Sequence, residues 1–122
     1  MELARRGLNL VLLDLDAANL EDTSDMVVSR HGVETKTAVF DLSLVGTPRG
    51  DESMRRLRAA IEGLDVGALV NNAGVSRPSM HEADVEALVR MVRVNLWALT
   101  EVTAAVLPEN WAGCKVTFLS TY

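Results

Sequence analysis

Leu8-Asn9-Leu10-Val11-Leu12-Leu13-Asp14 is the stretch on which the fold turns. An apolar run this short, closed by an acid, suits a strand buried on both faces, as in a parallel sheet. Before it, residues 2–6 read as the last turn of a helix, with Arg5 and Arg6 at its end and Gly7 where a left-handed cap is favoured. After it, Asp16 can cap a helix over residues 17–30, with Leu20, Val27 and Val28 on one face and Gly32 as the stop.

The same alternation continues outward. Residues 33–40 are rich in β-branched side chains and lead into a second acid, Asp41. Residues 46–50 mark a loop, and Asp51 or Ser53 opens a helix with Met54, Leu57, Ala60 and Ile61 at helical spacing. A third strand over 66–70 runs straight into Asn71-Asn72-Ala73-Gly74, small and turn-forming residues that can bring backbone close to a ligand. From 82 to 107 Val85, Leu88, Val89, Val92, Leu96, Leu99, Val102 and Val106 recur at three- and four-residue steps until Pro108 stops the helix. A last strand covers 115–119, before Ser120, Thr121 and Tyr122. Strand and helix in strict alternation predict an α/β domain, doubly wound around a parallel sheet.

Composition narrows the partners. The 122 residues carry 12 Lys and Arg against 17 Asp and Glu, a net charge of -5, with 48% hydrophobic residues. That is enough for one core and too little for two domains. The acidic balance and lack of basic clusters argue against nucleic acid or an anionic membrane as partner. No run approaches the ~20 apolar residues that span a bilayer, and no apolar region follows Arg5 and Arg6 as a secretory signal requires. Cys114 stands alone, so it forms neither an internal disulfide nor a Cys-based metal site.

In an open parallel sheet ligands bind beyond the carboxyl ends of the strands. Those ends are Asp14, Asp41, the 71–74 turn and Ser120, the set expected of a nucleotide cleft: an acid for ribose hydroxyls, an acid near adenine, small residues beside the rest. Each has a plainer reading. Asp14 is otherwise a solvated acid in a turn whose true cap is Asp16, and 71–74 an ordinary strand-end turn. Asn95 is otherwise a polar interruption of a helix face. His31 and His81 read as solvated or dipole-related, Met80, Met91 and Trp97 as packing, and Arg55, Arg56 and Arg58 as a wet helix face.

Leu69-Val70-Asn71-Asn72-Ala73-Gly74, Asp41-Leu42-Ser43, Val94-Asn95-Leu96 and Val116-Thr117-Phe118-Leu119-Ser120 resemble, in order, the motifs of short-chain dehydrogenase/reductases. Stretches 2–13, 31–42 and 92–108 are most similar to very-long-chain 3-oxoacyl-CoA reductases, particularly plant ones. That resemblance implies reduction of a 3-oxoacyl-CoA to the 3-hydroxyacyl-CoA with hydride from NADPH, at the endoplasmic reticulum. It also implies roles. Ser120 matches the serine that hydrogen-bonds the substrate carbonyl, and Asn95 the asparagine that holds a relay water. Asn72, Ala73 and Gly74 match the element that lines the cofactor site, and Asp41 and Leu42 the adenine contacts. The helix carrying Asn95 belongs, in that family, to a common dimer surface.

Three departures qualify the resemblance. The sequence contains no Tyr-x-x-x-Lys, and Tyr122 follows Ser120 too closely to replace its tyrosine. A glycine-rich pyrophosphate loop and the first strand would fall before Met1, so residues 1–122 are expected to be a partial Rossmann domain, inactive alone. Related reductases carry Gly and Arg where this chain has Asp14 and Leu15. An acid there repels the 2′-phosphate of NADP and accepts from ribose hydroxyls, which is the NAD pattern. The alternatives are an NAD-dependent hydroxysteroid or alcohol dehydrogenase, and a non-catalytic module that associates with a complete reductase. Without a first strand, the pairs 8–13 with 33–40 and 66–70 with 115–119 are expected either to close up directly or to leave apolar edges open.

Overall fold

The computed structural model describes residues 2–76, 84–107 and the backbone of 117–120. In chain order these form α1 (Glu2–Arg5), β1 (Leu10–Asp14), α2 (Ala17–His31), β2 (Thr35–Val39), a 3-10 turn (Leu42–Leu44) and α3 (Pro48–Ile61). There follow β3 (Ala68–Val70), α4 (Val85–Val92), a π-helical segment (Arg93–Ala98), α5 (Leu99–Val106) and β4 (Thr117–Ser120). All four strands are parallel, in the order β2-β1-β4-β3.

β1 is buried at all five positions, as its unbroken apolar run predicts. Its side chains alternate between two cores. Leu10 and Leu12 pack with Ala4, Leu20, Val27 and Val33, under α1 and α2. Val11 and Leu13 pack with Phe40, Val45, Leu57, Ala98, Val102 and Val106, under α3 and α5. The sheet is therefore covered on both faces by helices.

Local chemistry fixes the helix ends. Asp16 caps α2 by accepting from the backbone N–H of Ala18 and Asn19, at 2.9 and 3.2 Å, and Gly32 closes it at φ 65°, which glycine tolerates. Leu20 and Val27 face the core as expected, but Val28 is 44% exposed, because it lies one residue past the buried stripe. α3 begins earlier than the sequence reading had it. Thr47 is its N-cap and Pro48 its first residue, where a missing N–H costs nothing, so residues 48–50 of the expected loop are helical and neither Asp51 nor Ser53 opens the helix.

The predicted helix over 82–107 is seen over 85–106, with one change of winding. The Arg93–Ala98 segment is π-helical and splits α4 from α5 around Asn95. The strands are shorter than expected: 35–39 within 33–40, 68–70 within 66–70. Val33 and Phe40 remain buried outside the ladder. The strand pairs are the expected ones, and they do close up. The closing contact is made by β4, which lies against β1. His81, Met80, Pro108, Cys114, Thr121 and Tyr122 lie outside the described residues.

Candidate functional site

Register brings the strand ends to one edge. Asp14 pairs with Val39, Leu13 with Ser120, and Val70 with Leu119. Hence Asp14, Asp41, the 71–74 turn and the Ser120 backbone share the carboxyl edge of the sheet, where such folds bind ligands. The Ser120 side chain falls outside the description.

Asp14, the last residue of β1, is 6% exposed and is held from the start of α2. Its Oδ1 accepts from the backbone N–H of Asp16 at 3.0 Å, and its Oδ2 from Asn19 Nδ2 at 3.2 Å. Each carboxylate oxygen can accept twice, so these bonds orient the acid. Asp16, not Asp14, caps α2.

Asp41 has a local partner. Its Oδ1 accepts from Ser43, from the backbone N–H at 2.9 Å and from Oγ at 2.6 Å, and so caps the turn that holds Leu42 in place. The next connection has a close contact. Thr47 Oγ1 donates to the Leu44 carbonyl at 2.6 Å and accepts from the Gly50 N–H at 3.3 Å. A Cβ on Gly50 would lie 2.1 Å from that carbonyl oxygen, so α3 can approach the turn only with glycine here.

The turn after β3 is clamped to the helix from two points. Asn95 Oδ1 accepts from the Val75 N–H at 2.9 Å while Asn95 Nδ2 donates to the Val75 carbonyl at 2.8 Å. The amide thus pairs with loop backbone as a neighbouring strand would. It retains one N–H and one lone pair of Oδ1 for anything else. Asn71 Nδ2 donates to Thr103 Oγ1 at 3.1 Å, and that hydroxyl donates to the Leu99 carbonyl at 2.6 Å. Gly74 stands 3.6 Å, as a would-be Cβ, from Asn95 Oδ1, an ordinary contact, and its φ is not positive. Its small size is therefore not required by the described neighbours. Asn72 is exposed at the same turn.

Thr103 and Gly50 escaped the sequence reading. A threonine among the apolar residues of the 85–106 helix was the available signal for the first. The second had none, since its reason is a carbonyl oxygen six residues earlier in the chain.

Leu13, Leu42, Leu69, Ala73 and Val94 line one apolar pocket at this edge, with a volume of about 20 Å³. That holds a water and not a ring. Its walls are mainly apolar, and the oriented acid Asp14 stands on the same edge of the sheet. Among the described residues no group of three or more His, Cys, Asp or Glu could hold a metal ion.

Known proteins resemble this chain in sequence and in fold. A very-long-chain 3-oxoacyl-CoA reductase of Danio rerio is 32% identical over 124 residues, covering 98% of this chain and 37% of that protein. A very-long-chain 3-oxoacyl-CoA reductase-like protein of Arabidopsis thaliana is 34% identical over 110 residues, covering 87% and 33%. The chain thus spans about a third of the length of these relatives. Among solved structures, a short-chain dehydrogenase from Sphingobium yanoikuyae in complex with NADPH superposes with a TM-score of 0.69 at 27% identity, over 86% of this chain and 40% of that one. The L-sorbose reductase of Gluconobacter frateurii, complexed with NADPH and L-sorbose, gives 0.68 at 25%, over 84% and 38%. A sequence profile described as short chain dehydrogenase matches residues 1–117, and the chain belongs to that family.

Proposed function

We propose that this chain serves the reduction of a 3-oxoacyl-CoA by a reduced nicotinamide dinucleotide, holding the adenosine half of the cofactor and one hydrogen bond to the substrate carbonyl. The observation that carries this reading is the carboxyl edge itself: Asp14, Leu42 and Ala73 lie along it, and Asn95 and Asn71 pin the 71–76 loop. The relatives named as a very-long-chain 3-oxoacyl-CoA reductase and a reductase-like protein, and the two neighbours solved with NADPH, support the same reading.

When bound, the nicotinamide supplies the hydride. The chain's residues do the rest by position. Asp14 accepts from adenosine ribose hydroxyls, Leu42 and Ala73 flank the adenine, and Asp41 holds Leu42 in register. Asn72 and Gly74 form the exposed part of the loop beside the cofactor. Asn95 is a positioning residue through Val75, and its spare N–H serves a relay water. Ser120 donates to the 3-oxo group as negative charge develops on that oxygen. The only tyrosine, Tyr122, sits two residues beyond Ser120, so no proton donor with a lysine four residues on is at hand in this sequence. Turnover by the 122 residues alone is expected to be undetectable.

Asp14 further favours NADH over NADPH. A buried acid with both oxygens oriented repels a 2′-phosphate, and Leu15 offers that phosphate no cation. Location at the endoplasmic reticulum follows the resemblance to elongation reductases; among the described residues no helix is long and apolar enough to cross a membrane. Tryptophan fluorescence titration of the chain with NADH and NADPH tests the cofactor reading. Tighter NADH binding is expected, with the order reversed in the Asp14→Gly, Leu15→Arg double variant. Tighter NADPH binding by the unaltered chain refutes the preference, and binding of neither refutes the cofactor role.

A second reading rests on one observation. Val85, Val92, Leu96 and Trp97 on the 85–106 helix are 50–66% exposed, an apolar face that association would cover. The chain then pairs with a complete reductase through this helix. Co-purification with such a homologue, abolished by Leu96→Asp, is the expected result; retention in that variant would exclude this face.

A further inference from the structure

A capping box closes the start of a helix from both sides. The cap side chain accepts from the backbone of the first turn, and the third helical residue reaches back to the backbone N–H of the cap. α2 keeps the first contact and redirects the second. Asp16 accepts from the N–H groups of Ala18 and Asn19, but its own N–H donates to Asp14 Oδ1 at 3.0 Å. The third helical residue, Asn19, is thereby released, and its Nδ2 donates to Asp14 Oδ2 at 3.2 Å. Both halves of the return contact converge on the carboxylate that ends β1.

Two donors on two oxygens fix what one cannot. The terminal torsion of an aspartate is broad and roughly two-fold, so a single bond from Asp16 leaves the plane of the carboxylate loosely set. The second bond, from one turn into the helix, sets that plane. The backbone of the acid is held from the other side, since the Asp14 carbonyl accepts from the Phe40 N–H at 2.8 Å, one residue before Asp41. The type of residue 19 matters as much as its reach. An acid in the first turn would suit the helix dipole, yet the first turn of α2 contains none. A carboxylate at 19 would repel Asp14, and a lysine would bring the cation that a 2′-phosphate seeks. The amide holds the acid and adds no charge beside it.

We propose that Asn19 is a positioning residue that sets the cofactor preference, by holding the Asp14 carboxylate in the plane from which it accepts the adenosine ribose hydroxyls and by keeping positive charge away from the 2′ position. The proposal rests on the assignment of Asp14 to that ribose. Asn19 itself is exposed, so its effect on binding separates from any effect on the core.

The test is titration calorimetry of the full chain with NADH and with NADPH, beside denaturant unfolding of each variant. Asn19→Ala should weaken NADH binding about fivefold, the worth of one hydrogen bond, and narrow the preference over NADPH accordingly. Asn19→Lys should turn the preference toward NADPH. In an Asp14→Ala background Asn19→Ala should have no effect on NADH, because a residue that acts through another falls silent once that other is gone. The unfolding midpoint of Asn19→Ala should hold, since the helix propensity of alanine offsets one lost exposed contact. NADH affinity unchanged in Asn19→Ala, while Asp14→Ala weakens it, overturns the proposal and spares the ribose reading. A loss that persists in the Asp14→Ala background also overturns it, by making residue 19 a direct ligand, as does a loss that comes with a lowered midpoint. Unchanged NADH affinity in Asp14→Ala itself overturns the ribose reading and the proposal together.

Discussion

Every position of β1 is buried, whereas β3 has no buried position and exposes Ala68. The contrast extends to their helices. α2 is closed at both ends, by Asp16 and by Gly32, and turns Leu20 and Val27 inward. The 85–106 helix turns Val94, Ala98, Val102 and Val106 inward and keeps Val85, Leu96 and Trp97 at 66, 62 and 50% exposure. The first region thus satisfies its hydrophobic pattern within the described residues except at Met26 and Val28, and the second satisfies only half of it. A stripe that recurs at three- and four-residue steps all round a helix predicts burial on more than one side. What the difference teaches is that the acid-bearing half of the site rests on a finished core. The amide-bearing half, with Asn71 and Asn95, rests on a helix with one apolar face still open.

Substitutions of equal chemistry should separate the two regions. Leu12→Ala removes a side chain that is 1% exposed and should cost about 2–5 kcal/mol in denaturant unfolding. Leu96→Ala, at 62% exposure, should stay within about 0.5 kcal/mol. Equal losses would mean that the exposed face is covered in solution. Gly50→Ala comes next. Alanine raises helix propensity by about 1 kcal/mol, but its Cβ would lie 2.1 Å from the Leu44 carbonyl oxygen, which is backbone and cannot turn aside. A net loss of about 1–3 kcal/mol is expected, with altered amide shifts over 42–45. A stabilised variant would show that the turn and α3 separate freely.

The fold was legible where one residue's neighbours along the chain decide its state. The unbroken apolar run of β1, Asp16 before α2 and Gly32 after it are of that kind, and all three are seen. Residues 46–50 misled because glycine and proline mark a loop by composition, whereas a proline directly after a threonine cap begins a helix. The pairing of β4 with β3 was legible, but not which of the two would lie against β1. Which edge a strand takes depends on competition for β1, and nothing within residues 115–119 records that competition. At the site, strand-end acids and amides were readable as types, but not their partners: Asp14 with Asn19, Asn95 with Val75, Asn71 with Thr103.

Two smaller effects sharpen the comparison at the caps and clamps. Asp16→Ala deletes the acceptor for two backbone N–H groups at the start of α2 and should cost about 1 kcal/mol, read as a shift in the denaturant midpoint. Asn95→Ala should cost about as much, since the amide it removes is exposed and its Val75 partners can turn to water. The two differ in where they act. Loss of Asp16 should accelerate hydrogen exchange in the first turn of α2, and loss of Asn95 at Val75 in the loop. Acceleration of both sites in both variants would join the two regions into one cooperative unit.

Gly74→Ala should have the smallest effect. The added methyl meets Asn95 Oδ1 at 3.6 Å, within normal contact, and the backbone at Gly74 is not left-handed, so neither sterics nor conformation opposes it. Stability should stay within about 0.5 kcal/mol of the parent. If nicotinamide binding weakens severalfold in this variant while the unfolding midpoint holds, the methyl is meeting the cofactor, and small size at position 74 is a property of the ligand site alone. If binding is unchanged, the cofactor does not approach this turn, and the amide-bearing region serves only to anchor the loop.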